Sequence, residues 1–225
     1  MSDKIVLYVG EKNISSWSMR GFLAVVEKGL AFEEREIALR EDKDRRQRRE
    51  VSPTGKVPVL HHHREGAAPL VIPDSMAIIE YLEETFPPPK HPALWPADPE
   101  RRARARWLAA AMHSGWMKLR ESMSFNLCFT PTPPPATPEA LAEAAEILGH
   151  WEKALSMKPA GGPFLLGPFC GADIMFAPVV WRLTAFHVST ADAPRARDYM
   201  AAVLERPSVK RWMDPAKALP PRVNY

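Results

Sequence analysis

Residues 4–28 read KIVLYVGEKNISSWSMRGFLAVVEK, and their pattern places a strand directly before a helix. The β-branched and apolar run over residues 4–9 is typical of a strand, and Gly10 ends it. An apolar run with helical spacing follows over residues 19–28 and stops before Gly29. The sequence therefore predicts a strand and a helix joined by a short turn that contains serines.

Those serines occupy positions 15, 16 and 18. A serine at a helix N-terminus can cap backbone N–H groups that have no partner within the helix. The same N–H groups and the helix dipole also favour a bound anion. From the residues alone, capping and anion binding are both open for Ser15, Ser16 and Ser18.

The remainder of the first half predicts a small α/β unit. Residues 32–39 alternate weakly, which is typical of an edge strand, and residues 57–60 and 69–72 have the pattern of a hairpin pair. We expect a turn over residues 61–66 between these two strands. The next apolar stripe, over residues 74–82, predicts a helix capped by its first residues.

A proline-rich segment, residues 86–92, prevents regular helix and ladder pairing and is typical of a linker. Beyond it, the predicted helices cover residues 99–125, 139–157, 171–187, 192–204 and 208–213. The helix over 171–187 is apolar almost all round, as a helix at the centre of a bundle is. The sequence therefore predicts two domains, residues 1–84 and 99–225, with a linker over residues 85–98.

Composition limits the functional classes. The chain has 225 residues, 46% of them hydrophobic, and two cysteines, Cys128 and Cys170, without CxxC or metal-ligand spacing. We therefore expect neither a disulfide framework nor a zinc site. No basic segment precedes a long apolar run, so we expect neither a secretory signal nor a transmembrane helix, and the expected location is the cytoplasm.

Charge does not indicate a nucleic-acid partner. The net charge of +3 comes mostly from arginine-rich runs at residues 45–49 and 101–106, which acids interrupt or flank. Neither run has stacking aromatic residues or a nucleic-acid motif, so both are interpreted as solvated helix faces. Of the three histidines at 61–63, only His61 and His63 would share a face of a strand, and no metal site is expected there.

Three patches occur in order along the first half: Ser-Ser-Trp-Ser at 15–18, Gly-Lys-Val-Pro-Val-Leu at 55–60, and Pro-Asp-Ser at 73–75. Together they resemble the cytosolic glutathione S-transferase family, and the serine pattern most resembles its serine-type, zeta-like classes. The linker and the helical second half resemble that family too. The resemblance implies a thioredoxin-like α/β domain followed by an all-α helical bundle domain. It also implies glutathione as co-substrate, no metal, no membrane partner and a homodimer.

The resemblance assigns residues to two parts of glutathione. In that family the proline matching Pro58 follows a cis peptide bond, and the preceding residue, here Val57, pairs its backbone with the cysteinyl part of glutathione. Asp74 and Ser75 match the acid and serine pair that binds the γ-glutamyl end. An ordinary helix cap remains the alternative for that pair.

Ser15 and Ser16 both match the serine that hydrogen-bonds the glutathione sulfur, and the zeta-like register favours Ser15 without excluding Ser16. Trp17 stands where the zeta-like pattern has a cysteine, and it is expected either near bound glutathione or in the core. The glycyl carboxylate is expected to bind a cation, for which Arg40, Lys43 and Arg46 are the candidates. Lys56 is also expected to contact glutathione.

The resemblance implies that the helical domain supplies the pocket for the second substrate. By position in the family, Met112, His113 and Trp116 on the first long helix line that pocket. An apolar and aromatic wall suits a hydrophobic electrophile. Packing in the bundle core is an equally open interpretation of Met112.

The expected activity is that of a glutathione transferase, in which the glutathione thiolate attacks a small hydrophobic electrophile. A glutathione-dependent isomerase of the maleylacetoacetate type is the first alternative, although Trp17 replaces the cysteine on which that activity depends. Peroxide reduction through glutathione is a further variant of the same chemistry. The other alternative is a non-catalytic interaction module that keeps the fold for docking.

Overall fold

The computed structural model describes residues 3–39, 42–128, 133–157 and 162–219. The chain divides into two compact units, Met1–Leu94 and Trp95–Tyr225. The first unit combines a sheet with helices and the second is helical, so the predicted fold class is confirmed. The narrower domain limits, 1–84 and 99–225, stay predictions.

Four strands form the sheet of the first unit: β1 (Lys4–Gly10), β2 (Glu33–Ile37), β3 (Val59–His63) and β4 (Leu70–Pro73). Their spatial order is β2-β1-β3-β4, with β1 parallel to β2 and antiparallel pairing elsewhere. Because β1 is an inner strand covered on both faces, it buries a nearly continuous apolar run that includes Ile5, Val6, Leu7 and Val9.

Three helices complete the first unit: α1 (Ser16–Glu27), α2 (Asp42–Val51) and α3 (Ser75–Thr85). α1 and α3 pack against each other, and α1 is buried along most of its length. At its end the buried Lys28 Nζ lies 2.5 Å from Glu83 Oε2. The same oxygen accepts the Leu94 N–H at 2.9 Å, which fixes the chain beyond α3 to the first unit.

The third strand is longer than the sequence predicts. The expected turn over residues 61–66 is wrong at its start, because His61, His62 and His63 continue β3 in register with β1. His62 is buried and its Nδ1 lies 2.6 Å from the Tyr81 hydroxyl, while His61 points to the opposite face. Histidine fits a strand here because each side chain finds a partner on its own face of the sheet.

Six helices are described in the second unit: α4 (Pro99–Ser114), α5 (Met117–Ser122), α6 (Pro138–Ser156), α7 (Gly171–Ala185), α8 (Pro194–Glu205) and α9 (Pro207–Lys217). As predicted, α7 is buried nearly all round, and it packs against α4 and α8. No helix within the described ranges is long and apolar enough to cross a bilayer.

The start of α7 is held by a buried carboxylate. Asp173 Oδ2 accepts the Cys170 N–H at 2.8 Å, and Oδ1 accepts the Leu165 N–H at 3.1 Å. Burial raises the pKa of Asp173 to about 6 despite these two bonds. Asp173 therefore satisfies two backbone donors at the N-terminus of the central helix.

The helix predicted over 99–125 is wrong as a single element. It ends at Ser114, and α5 begins only at Met117 after Gly115 takes an extended conformation and Trp116 a left-handed one with φ of 50°. A Cβ on Gly115 would lie 2.9 Å from the Ala111 carbonyl oxygen. The absence of a Cβ on Gly115 permits this close approach to the last turn of α4.

Candidate functional site

The serines at the start of α1 form a hydrogen-bonded chain. Ser15 caps the helix, and its hydroxyl donates to Ser18 Oγ at 2.8 Å while accepting the Ser18 N–H at 3.4 Å. Ser18 Oγ also accepts the Gly10 N–H at 2.8 Å and is fully buried. Ser18 therefore joins the end of β1 to the start of α1, a role that the sequence reasoning did not assign.

Ser15 and Ser16, the two predicted sulfur ligands, lie at the positive end of the α1 dipole and are largely buried. The Ser15 proton is directed at Ser18, so Ser15 has to rotate before it can donate elsewhere. Ser16 is the first residue of the helix. Which of the two would contact a sulfur stays a prediction.

Trp17 lies over a buried cation. The guanidinium carbon of Arg20 is 4.4 Å from the centre of the Trp17 ring, and Arg20 is fully enclosed. A guanidinium on an aromatic face is an attractive arrangement that strengthens when water is excluded. Trp17 is therefore held in place on α1, half-buried, next to the two serines.

A close contact at Gly21 brings the elements of the three patches together. A Cβ added to Gly21 would lie 2.8 Å from Pro58 Cβ and 3.6 Å from Ile78 Cδ1. The helix that begins at the serines is therefore packed directly on Pro58 and on α3, the helix that begins at Ser75. Only glycine allows α1 to approach the proline this closely.

Val57 lies at the same end of the sheet. The Val57–Pro58 bond is cis, as the resemblance implies. Tyr8 and Pro73 are both in register with Val59. The half-buried Val57 precedes Val59, the first ladder residue of β3, by two residues, at the end of the strand that pairs with Pro73.

Asp74 has an uncommon backbone conformation, with φ of 82° and ψ of 136°. Its Oδ1 accepts the Met76 N–H at 2.8 Å and the Ala77 N–H at 3.3 Å, so it caps α3. A positive φ at a non-glycine residue is frequent at sites that bind ligands. Asp74 is exposed and Ser75 is buried; their contact with a ligand stays a prediction.

The cations predicted to bind glutathione lie on and near α2. Lys43 is exposed in the first turn of α2, and Arg46 pairs with Glu50 at 3.4 Å. Lys56 is exposed, and its N–H donates to Thr54 Oγ1 at 3.2 Å. Arg40 lies outside the described residues. The roles of these cations stay predictions.

Met112, His113 and Trp116 belong to the second unit. Met112 is fully buried and His113 is half-buried. The Trp116 ring lies 5.8 Å from Phe176 and 6.0 Å from His150, centre to centre, and it is nearly enclosed. Trp116 follows α4 instead of lying on it, which corrects its predicted place on one long helix. Whether these residues line a substrate pocket stays a prediction.

Within the described ranges, no group of three His, Cys, Asp or Glu side chains could hold a metal ion. The three histidines of β3 alternate between the two faces of the sheet. The groups gathered at the start of α1 and α3 are hydroxyls, backbone amides and one carboxylate. Such a set suits a polar peptide-like ligand with a charged end and a sulfur.

Two protein-family models match the chain: the glutathione S-transferase N-terminal domain over residues 14–85 and the glutathione S-transferase C-terminal domain over residues 134–214. The maleylacetoacetate isomerase of Rattus norvegicus is 30% identical over 205 residues, which are 89% of this chain and 88% of that protein. The probable maleylacetoacetate isomerase of Caenorhabditis elegans is 35% identical over 114 residues, and the match spans about half of each chain: 51% of this one and 49% of the other.

A stringent starvation protein A homolog of Haemophilus ducreyi is 27% identical over 207 residues, which are 90% of this chain and 86% of that protein. Among solved structures, a glutathione transferase homolog from Burkholderia with bound glutathione aligns with a TM-score of 0.72 at 30% identity. That alignment covers 96% of this chain and 100% of the other.

Proposed function

Because this chain belongs to the glutathione S-transferase family, we propose that it is a glutathione-dependent transferase. Its first unit binds glutathione where α1, Pro58 and α3 meet, and the bound thiol is activated as a thiolate. The single observation that carries the proposal is the packing of Gly21 against Pro58 and Ile78, which gathers the three patches at one end of the sheet.

Thiol activation is assigned to the start of α1. Lowering a thiol pKa from about 8.5 by about two units requires about 2.7 kcal/mol. One charge-assisted hydrogen bond from Ser15 or Ser16, added to a helix N-terminus, supplies a free energy of that size. No general base is needed, since the thiol proton leaves to solvent.

The rest of glutathione is assigned to the neighbouring groups. The Val57 backbone pairs with the cysteinyl peptide unit as an added strand would. Ser75 and the N-terminus of α3 receive the γ-glutamyl carboxylate, while Asp74 attracts its ammonium group. Lys43 is the assigned cation for the glycyl carboxylate, Lys56 is a further assigned contact of glutathione, and Trp17 covers the site.

The second substrate is a small hydrophobic electrophile, for which Met112, His113 and Trp116 are the assigned contacts. The glutathione sulfur forms a bond to the electrophilic carbon. In a displacement, the leaving group departs with the electron pair of its former bond. In an addition to a double bond, the adjacent carbon takes a proton from water.

A spectroscopic titration of the thiolate of bound glutathione tests this proposal. We expect a thiol pKa about two units below the free value of about 8.5 in the wild-type protein. Ser15→Ala or Ser16→Ala should abolish most of the shift, while Ser114→Ala, on an exposed position of α4, should keep it. A wild-type thiol pKa equal to that of free glutathione would refute activation.

A glutathione-dependent isomerase is the second candidate, and the 30% identity to the rat maleylacetoacetate isomerase favours it. An isomerase returns glutathione unchanged, whereas a transferase consumes one glutathione per turnover. Product analysis with maleylacetoacetate and with a halogenated aromatic electrophile separates the two. Trp17→Cys restores the zeta-like pattern, so a gain of isomerase turnover in this variant would identify Trp17 as the residue that suppresses it.

The proposal extends to a homodimer that acts in the cytoplasm, both of which are typical of the family. Sedimentation analysis tests the dimer, and cell fractionation tests the location. Calorimetry tests the non-catalytic alternative. At about millimolar glutathione, even a weak site with a binding free energy of about −4 kcal/mol is half-filled. Absence of glutathione binding there would overturn the enzyme proposal in favour of a docking module.

A further inference from the structure

A fully buried arginine lies on α1, one helical turn after the serines proposed to bind the sulfur. Ser16 is the first residue of α1 and Arg20 is the fifth, and the exposed fraction of Arg20 is 0%. Side chains four residues apart lie on one face of a helix, with about 5–6 Å between their Cβ atoms. The enclosed cation therefore shares a face of the helix with Ser16.

The Arg20 guanidinium extends toward the N-terminus of α1. Long side chains on a helix point back over the preceding turn. In agreement, the Arg20 guanidinium carbon lies 4.4 Å from the centre of the ring of Trp17, which directly follows Ser16. The contact places the positive charge beside the first turn of α1, where the helix dipole also favours an anion.

Trp17 shields this charge. Its half-buried indole lies over the guanidinium, and the arginine beneath it has no exposed surface. A buried charge is screened by water and salt much less than an exposed one, so it acts over a longer distance. A nearby cation favours the ionised form of an acid, and for a thiol that form is the nucleophilic thiolate.

We propose that Arg20 is a second source of thiol activation: its buried charge stabilises the glutathione thiolate held at Ser15 or Ser16, and Trp17 preserves this effect by covering the guanidinium. Because Arg20 is enclosed, it acts through its field and does not contact the sulfur. The inference rests on the proposed function, since only bound glutathione supplies the thiolate. Arg20 adds to the serine hydrogen bond and the helix dipole, which remain the larger contributions.

Spectroscopic titration of bound glutathione, at saturating ligand, tests this role in a set of variants. Arg20→Met removes the charge and keeps an unbranched apolar side chain, so it should raise the thiol pKa by about half a unit, about three-fold in the ionisation constant. Arg20→Lys keeps a charge and should retain most of the lowering, even where stability falls. Arg45→Met removes an exposed cation of α2 that has no assigned contact with glutathione, and it should leave the thiol pKa unchanged.

Salt dependence supplies a second measurement that leaves Arg20 in place. Trp17→Ala opens the guanidinium to water, so the thiol pKa should rise and should depend more strongly on salt between about 0.05 and 0.5 M than it does in the wild-type protein. Trp17→Phe keeps an aromatic face over the guanidinium and is the matched control. It should keep both the wild-type pKa and its salt dependence.

Circular dichroism and urea denaturation establish which variants are folded. An unchanged thiol pKa in folded Arg20→Met would overturn the inference, as would an equal rise in Arg20→Met and Arg20→Lys, and the lowered wild-type pKa would leave the proposed function standing. If Arg20→Met does not fold, Trp17→Ala decides, and a wild-type salt dependence in that variant would overturn the inference. An unshifted thiol pKa in the wild-type protein would refute the proposed function and this inference with it.

Discussion

The Ser15 hydroxyl donates a hydrogen bond of 2.8 Å to the Ser18 hydroxyl. This bond holds Ser15, one of the two hydroxyls proposed to hydrogen-bond the thiolate, in the conformation that caps α1. Ser18 also accepts the backbone N–H of Gly10, so one buried hydroxyl orients the helix start against the end of β1. The attachment of the start of α1 to the end of β1 therefore depends on a serine that would not itself touch a ligand.

Ser18→Ala should destabilise the protein by about 1–3 kcal/mol, because it leaves the buried Gly10 N–H without its acceptor. The same change frees the Ser15 proton, so the bound thiol pKa should stay lowered while stability falls. Urea denaturation measures the first effect and the thiolate titration the second. Ser156→Ala, on an exposed part of α6, is the matched control and should change neither. Loss of thiol activation in Ser18→Ala would show that the capping conformation itself is needed.

Gly21→Ala should lower both stability and glutathione affinity, because its Cβ would lie 2.8 Å from Pro58 Cβ. The proline ring is rigid, so α1 has to move away from it. Gly149→Ala, where a Cβ would meet nothing within 4 Å, is the control, and it should stabilise α6 by up to about 1 kcal/mol. Denaturation and calorimetry measure both variants. Unaltered glutathione affinity in Gly21→Ala would contradict the role given to this contact.

Lys28→Met should lower the free energy of unfolding more than substitution of an exposed lysine would, because it leaves Glu83 without its buried partner. Removing one member of such a pair costs about 3–5 kcal/mol. In the double variant Lys28→Met with Glu83→Gln, the loss of unfolding free energy should be smaller than the sum of the losses in the two single variants. A double-mutant cycle by urea denaturation measures the coupling. Strict additivity would mean that the bond to Leu94, not the ion pair, carries the contribution of Glu83.

Asp173 should make stability depend on pH, because burial raises its pKa from 3.8 to about 6. Between these two values the folded state holds a proton that the unfolded state has released. The free energy of unfolding should therefore fall as pH rises from about 4 to about 6, and remain at the lower level above that.

Asp173→Asn should lose this dependence and also lose stability, since an amide has one acceptor for two backbone donors. The comparison by urea denaturation at several pH values isolates the contribution. A pH dependence that survives in Asp173→Asn would have to come from other groups.

Most strands and helices could be predicted from local patterns, since β1, α1 and α7 differ in periodicity and in apolar content. The break between α4 and α5 could not. An isolated glycine such as Gly115 is tolerated inside many helices, and its effect here depends on Trp116 packing against Phe176 and His150. The extension of β3 through His61–His63 likewise depends on partners, including Tyr81, that are distant in sequence.

The candidate site could be predicted at Ser15, Val57 and Asp74 because motif order along the chain carried the resemblance. Ser18 and Gly21 were missed for a physical reason: each matters through a contact with a distant residue, Gly10 in one case and Pro58 in the other. The spacing of Ser18 three residues after Ser15 was the available signal, since a cap bonds at that distance.

Trp17 on α1 leaves the first unit without any sulfhydryl of its own. Both cysteines of the chain, Cys128 and Cys170, lie in the second unit, where burial raises their pKa values. A glutathione thiolate held at Ser15 or Ser16 would then be the only strongly nucleophilic sulfur of the complex near neutral pH. Alkylating agents and peroxides would consume the bound peptide first, and rinsing in fresh glutathione would return full activity where a cysteine-based enzyme stays inactivated.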